Sequence, residues 1–492
     1  MAVYMHGTYG EFAPSIGRAA TSSGTVAVYV GTAPVNLIRG FADAGVINEP
    51  VYLTSLSGVR RTMGNSKAWD KFTLCEAFGA HFYNEIANVG PIVAINVLDP
   101  AKHKKSAETT QQLIFANGRA TIDSDTIILD TLLLANLVEG VDFSIDYDFT
   151  KSQVIIESIG DTDITGTVPA TFSEVEPAAV TAADIVGGVT SNGVYTGLGC
   201  VDLVYTSLNL ITNLIAVPGW SQHKDVYSAM VKASMQINGH WNAMVVADIP
   251  LVDNSTAVDT IEKAIAWKSE NGYTSERAKV CWPKAIDTSG VVYHLSTLWV
   301  WRQMLVDAEH DGVPMESASN KAAPVAKQFF GEASTNRGFD QQRGNELNAE
   351  GISTVVFFGG LWVLWGPHTA AFRHGAITDN RNIFDVSIRM MMHQLNSFQQ
   401  EWALTIDSPM TRALADTIKN REQEKADALA SMGALIGTPE VRFDEDDNST
   451  DELVQGNFVW AFRSTPTPPF KSGLARVSYT TEGFTSFIGE EG

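Results

Sequence analysis

Histidines and carboxylates at short spacing are the first places to look for chemistry in this chain. His368 and His374 lie six residues apart, and DEDDNSTDELVQ, from Asp444, has the acidic density of a calcium loop. Such a loop needs glycine at its sixth position and glutamate at its twelfth. Ser449 and Gln455 stand there, so the run reads as a solvated acidic turn. The histidine spacing matches no tetrahedral zinc pattern, and no cysteine is near it. Asp142, Asp146 and Asp148 alternate along one expected strand and read as its solvent face. His223, His240 and Asp248 fall near strand ends, where an α/β hydrolase would gather its site. No nucleophile, base and orienter set can be assembled from them by motif. GxSxG, HExxH, GxxxxGK[ST] and GxGxxG are all missing, so the expectation is a non-enzyme with no catalytic residue, metal ligand or cofactor.

One charged cluster stands out. Arg412, Lys419, Arg421 and Lys425 concentrate positive charge on an expected helix from about Met410 to Met432. The chain as a whole carries 34 Lys and Arg against 56 Asp and Glu, a net charge of -22. Either Glu422 and Glu424 neutralise a solvated helix face, or the helix docks to an acidic partner. The acidic excess excludes the basic footprint of a nucleic-acid binder. It also makes like copies repel at long range, so any self-assembly must rest on short-range contacts. Cys75, Cys200 and Cys281 are too few and too dispersed for a disulfide framework, and read as buried small hydrophobes.

The elements that position these residues are alternately β and α/β. The 492 residues, 45% hydrophobic, suffice for several domains. TVAVYVGTAP and GPIVAINVLDP read as buried strands with a helix between them that carries Trp69, Phe72, Ala77, Phe78 and Phe82. From Gln112 to about Ser158, QLIFANG, TIILD, VDFSIDYD and QVIIESI read as short strands of an inserted β-sandwich-like module. Val226, Met230, Ala233, Ile237 and Trp241 fall on one helical face. AMVVADIP and RAKVCWP are strands, and STLWVWRQMLV is a helix. GISTVVFFGGLWVLWGPHT, from Gly351, is the most apolar stretch. It is too short to span a bilayer, which takes roughly 20 apolar residues, and Gly359-Gly360 interrupts it. A two-glycine connection suits a β-hairpin, whose apolar faces place Val355, Phe357, Trp362 and Trp365 at the centre of a core. A long helix follows, Ile383 to Trp402, with Ile388, Met391, Met392, Leu395 and Trp402 on one stripe. The N-terminus MAVYMHGTYGEF has no basic leader or apolar stretch of signal-peptide length.

Several runs, in order, resemble the tail sheath proteins of contractile-tailed bacteriophages and related injection machines. They are GTYGEFAPSIGRA with AVYVGTAPVN, IAVPGWSQHKDVYSAMVKA, ELNAEGISTVVFFGGLWVLWGPHT, NRNIFDVSIRMMMHQLNSFQQE with ALADTIKNREQEKADALASMGALIG, and GNFVWAFRSTPTPPFKSGLARVSYTT. They cover most of residues 1–100 and 200–492. Pro367-His368-Thr369 stands where relatives often carry Ala-Arg-Thr.

The resemblance implies an α+β or α/β multidomain fold: an α/β core with a mixed sheet and long C-terminal-region helices, an inserted β-sandwich-like domain and extended arms. The expected divisions are an N-terminal arm (1–24), the first part of the core (25–100), the insertion (101–200), the central core (201–370), a helical and strand region (371–475) and a C-terminal arm (476–492). It implies a subunit that stacks as hexameric rings around a tail tube, meets baseplate and tail terminator proteins, and contracts to drive the tube through the host envelope. It further implies no direct nucleic-acid contact and no membrane insertion, a place in the virion, and assembly in the host cytoplasm. Arms of about Ala2 to Glu11 and Arg476 to Ile488 would complete a neighbour's sheet through Val3, Tyr4, Met5, Tyr9, Val477, Tyr479, Phe484, Phe487 and Ile488. The basic helix would face the tube. A bacteriocin-like particle is the alternative setting.

Overall fold

The computed structural model describes residues 21–160, 163–332 and 339–488. Short runs of apolar, largely β-branched residues build its centre. Thr21–Gly31 (β1), Pro50–Leu53 (β2), Val89–Asn96 (β3), Leu214–Ala216 (β4), Met244–Asp248 (β5), Ala278–Cys281 (β6), Ile352–Phe358 (β7) and Leu361–Trp365 (β8) form one sheet in the order β2-β3-β1-β4-β5-β6-β7-β8. The six inner strands run parallel, and β2 and β8 add antiparallel at the two edges. Strands β4, β5 and β6 are buried at every residue, the pattern of parallel strands covered on both faces.

The principal helices are Leu74–Phe82 (α1), Lys224–Ala233 (α2), Ile261–Glu270 (α3), Leu295–Glu309 (α4), Gln341–Ala349 (α5), Asp385–Trp402 (α6) and Arg412–Ser431 (α7). Helix α4 is buried along most of its length and packs Trp299 and Trp301 into the core. Two buried carboxylates meet its N-terminus. Glu76 accepts from the His294 N–H at 2.7 Å, and Asp248 from the Ser296 N–H at 2.9 Å. Negative charge is favoured there, where unpaired N–H groups and the helix dipole coincide.

A second core lies between two three-stranded sheets. One sheet holds Thr109–Phe115, Gly166–Phe172 and Leu133–Leu134; the other holds Arg119–Asp123, Gln153–Ser158 and Phe143–Asp148. Phe115, Ile122, Val154, Ile156 and Phe172 fill the space between them, and Leu37 of the main chain body reaches in. Farther on, Ile185, Leu198, Cys200, Val201 and Val204 pack into the main core. The second core therefore ends near residue 172, short of the expected 200.

Several local expectations are corrected. TIILD is not a strand: Ile127 makes one bridge to Glu174 and a 3-10 turn follows at Leu129–Thr131, with Ile127 and Leu129 both buried in the second core. Trp69 and Phe72 precede α1. Helix α2 stops at Ala233; Gln236 and Asn238 adopt left-handed backbone angles, yet Ile237 and Trp241 remain buried in the turn that follows. The Gly-Gly hairpin does form, with positive φ at Gly359 and Gly360, but at the sheet edge. Val355, Val356, Val363 and Leu364 are buried, whereas Phe357, Phe358 and Leu361 at its tip are exposed. No helix among the described residues is long and apolar enough to cross a membrane.

Candidate assembly surface

Helices α6 and α7 and a small sheet make up the C-terminal body. Thr411 caps α7 by accepting from the Leu414 N–H at 3.2 Å. At the other end Gly433, with φ of +86°, lets the chain reverse so that Gly433 and Ala434 return N–H bonds to Ala430 and Leu429. That reversal launches Leu435–Arg442 (β9), which pairs antiparallel with Ala461–Pro466 (β10) across a register shift at residues 437–439. Asn448, buried inside the acidic stretch between them, bonds Asp444 O, Val459 O and the Val459 N–H, closing the loop on itself.

Side chains weld this unit together. Phe398 of α6 meets Trp460 and Phe462, and Phe443 meets Trp460, with ring centres 5.1 to 5.9 Å apart. Trp402 Nε1 donates to Glu422 at 2.7 Å, and Lys425 pairs with the same buried carboxylate at 2.9 Å. A cavity of about 340 Å³ remains between α6, α7 and β10, lined mainly by apolar groups such as Leu429, Met432 and Phe462. His393 opens into it, held below the usual histidine range by burial and by the Arg389 charge.

Two buried ion pairs of opposite sense tie α6 to the main body. Asp385 meets Lys279 of β6 at 2.9 Å, and Lys279 also donates to Ser353 Oγ, Gly366 O and His368 O while lying 4.0 Å from the Trp299 ring. One turn on, Arg389 grips Asp307 of α4, whose oxygens also accept from Thr25 and Gln303. Sequence reasoning missed these residues, since Lys279 sits inside an apolar strand and Arg389 stands in sequence between Ile388 and Met391 of an expected apolar stripe. Leu395, assigned to that stripe, is exposed instead.

The sequence-predicted residues are distributed as follows. Val3, Tyr4, Met5 and Tyr9 lie outside the described residues. Val477 and Tyr479 are 93% and 81% exposed and belong to no strand, although ARVSYTT alternates as a strand would; the observed pair is β9 with β10. Phe484, Phe487 and Ile488 lie on a short helix, Glu482–Ile488, rather than on an extended arm.

On α7, Arg421 pairs with Glu401 and Glu424, Lys425 with Glu401 and Glu422, and Arg412 with Asp416. Lys419 forms no ion pair among the described residues. At the hairpin, Trp362 and Trp365 are half-buried, and Trp365 Nε1 donates to Asn345 at 2.9 Å.

Of the hydrolase candidates, His223 and His240 are exposed, and Asp248 is engaged with Ser296 and Ser221 in the cap of α4. Burial raises the Asp248 carboxyl above its ordinary range. His368 is stacked between Phe372 and Phe384 and bonds Ile383 O, while His374 is exposed.

No family model matches the chain. A chain of the anti-feeding prophage (AFP) baseplate aligns with 98% of this chain and 100% of its own length at a TM-score of 0.55, with 13% identity. A chain of the PVC sheath complex in its contracted state, from an extracellular contractile injection system, aligns over 98% and 99% at 0.54, with 11% identity. The fold is thus shared with these two chains. In sequence, the tail sheath protein of Burkholderia phage BcepMu is 27% identical over 504 residues, covering 94% of this chain and 96% of that one. A relative named as a tail sheath protein thus matches nearly the whole of this chain.

Proposed function

We propose that this chain polymerises as stacked hexameric rings around an inner tube, and that the stack shortens to drive the tube through a host envelope. Its output is mechanical: free energy stored at assembly is released by cooperative rearrangement of nearly rigid subunits, with no bond-making step. The observation that carries this reading is an unsatisfied sheet beside an unpacked tail. Among the described residues sheet β9–β10 has two strands, and a two-stranded sheet is marginal alone. Beyond β10, Phe470, Leu474, Val477 and Tyr479 are each more than 80% exposed. Pro466, Pro468 and Pro469 stiffen the exit from β10.

Segments of about 2–11 and 476–481, the latter ending before the short terminal helix, would then pair with sheets of neighbouring copies, adding strands through backbone hydrogen bonds. Such contacts act over a few ångström, so they hold copies together against a net charge of -22 that salt screens at longer range. Helix α7 would face the tube protein, with Lys419, which forms no ion pair among the described residues, turned to it, and the ends of the stack would meet baseplate and terminator proteins. The particle is a phage tail assembled in the host cytoplasm. A bacteriocin-like or other injection particle is the second reading, favoured by the AFP and PVC neighbours.

The test is removal of residues 1–12. A folded, soluble subunit that builds no ordered sheath supports the proposal; normal sheaths from the truncated chain refute the arm assignment.

A further inference from the structure

Gln423 projects from α7 onto the outer edge of β9. Its Nε2 donates to the Pro439 carbonyl at 3.0 Å, and its Oε1 accepts from the Val441 N–H at 2.8 Å. One side-chain amide thus supplies the donor and acceptor that an added strand would supply. Asp427, one turn along α7, accepts from the same Nε2 at 2.9 Å and fixes the amide's orientation.

The opposite edge is different. Val441 stands opposite Phe462, between the pairs Glu440–Arg463 and Arg442–Ala461. In an antiparallel ladder, directly opposed residues either exchange both backbone bonds or turn both outward. Since Val441 gives its N–H to Gln423, Phe462 turns its own N–H and C=O away from β9, and Ser464, two residues on, does the same. Neither backbone finds a partner among the described residues. Behind this edge lies the aromatic bed of Phe398, Trp460 and Phe462.

We infer that Gln423 closes the β9 edge, so that the β10 edge, at Phe462 and Ser464, receives an extended segment from another copy of this chain. The inference rests on the strand-addition reading above and adds the edge and the residue that selects it. An open strand edge is a template for indiscriminate pairing, and proteins block such edges with side chains or helices. One blocked edge leaves a single direction of growth. A second incoming segment then lies outside the first, on the same side.

Hydrogen exchange of the full-length chain, free and assembled on its tube, tests this. The amides of Phe462 and Ser464 should exchange quickly in the free chain and slow about tenfold or more on assembly, while Val441 is slow in both states. In the free Gln423→Ala variant, Val441 should exchange at least about tenfold faster, and the variant should self-associate at concentrations where the parent is monomeric. An intact sheath with slowing confined to residues 438–443, or present at both edges, overturns the choice of edge while leaving strand addition in place. No slowing at either edge overturns both. A Gln423→Ala chain that stays monomeric, or in which Val441 stays slow, removes Gln423 from its blocking role.

Discussion

Arg389 on α6 holds Asp307 on α4 in a two-pronged ion pair, one of its hydrogen bonds measuring 3.0 Å, with the arginine side chain 6% and the aspartate 0% exposed. A charge deprived of its partner at such a site is costly, whereas an apolar replacement of both is tolerated far better. Arg389→Met alone should therefore lower unfolding stability by about 3–5 kcal/mol, and Arg389→Met with Asp307→Leu should recover most of it. Urea unfolding of the three chains checks this. A single variant as stable as the parent would show that the pair does not anchor α6.

Gly366 sits where the hairpin leaves the sheet, with φ of +131° and its carbonyl accepting from Lys279 and Ser353. An added Cβ would come within 2.7 Å of Asn348 Nδ2 and 3.1 Å of the Ser353 Cα. Gly366→Ala should thus cost about 2 kcal/mol or more, from backbone strain and overpacking together. Gly360→Ala meets nothing within 4 Å and should cost only about 1 kcal/mol, for its positive φ. Similar losses at the two positions would contradict the packing described.

Acid should weaken the subunit through two buried histidines. His81 bonds Tyr29 Oη and Val89 O, His368 lies between two phenylalanine rings, and burial lowers both from 6.5 to about 4. As pH falls below 6.5 the unfolded chain takes up protons that the folded chain refuses. Their contribution is intact above about 6.5 and fades down to about 4, on the order of 3 kcal/mol for each ring at most. Asp248, raised by burial, acts in the opposite sense above its unfolded value of 3.8. Comparing His368→Gln with the parent isolates one ring: the stability gap should narrow between pH 6.5 and 4. A constant gap would contradict a neutral buried His368.

What the sequence disclosed followed from period and punctuation. Apolar β-branched runs located the parallel strands, and Gly359-Gly360 located the hairpin, because both signals are local. The hairpin's position was not local: burial on both faces holds at Val355 and Leu364 but fails at Phe357, since β7 ends the parallel series and the hairpin's tip runs out at the sheet edge. Lys279, Asp307, Asp385 and Arg389 were illegible for the same reason. Charge within an apolar stretch reads as an interruption until a partner from a distant element is placed beside it. The cations of α7 and two of their partners, Glu422 and Glu424, were correctly located, but not Glu401, because it comes from α6.

That correction changes the informative substitution on α7. Arg421→Glu with Lys425→Glu sets new carboxylates against Glu401 and Glu422 and so disturbs the fold as well as any docking. Lys419→Glu disturbs no ion pair among the described residues. It should leave unfolding within about 0.5 kcal/mol of the parent while weakening assembly on the tube, with tube-free polysheath unaffected. Equal loss of both assemblies would count against a tube-facing α7.

Negative-stain microscopy of the purified full-length chain mixed with its tube protein bears most directly on the polymer. The account predicts tubes coated by regularly stacked rings. A chain that stays as single particles at every tube concentration, while turning over a small molecule, would contradict it.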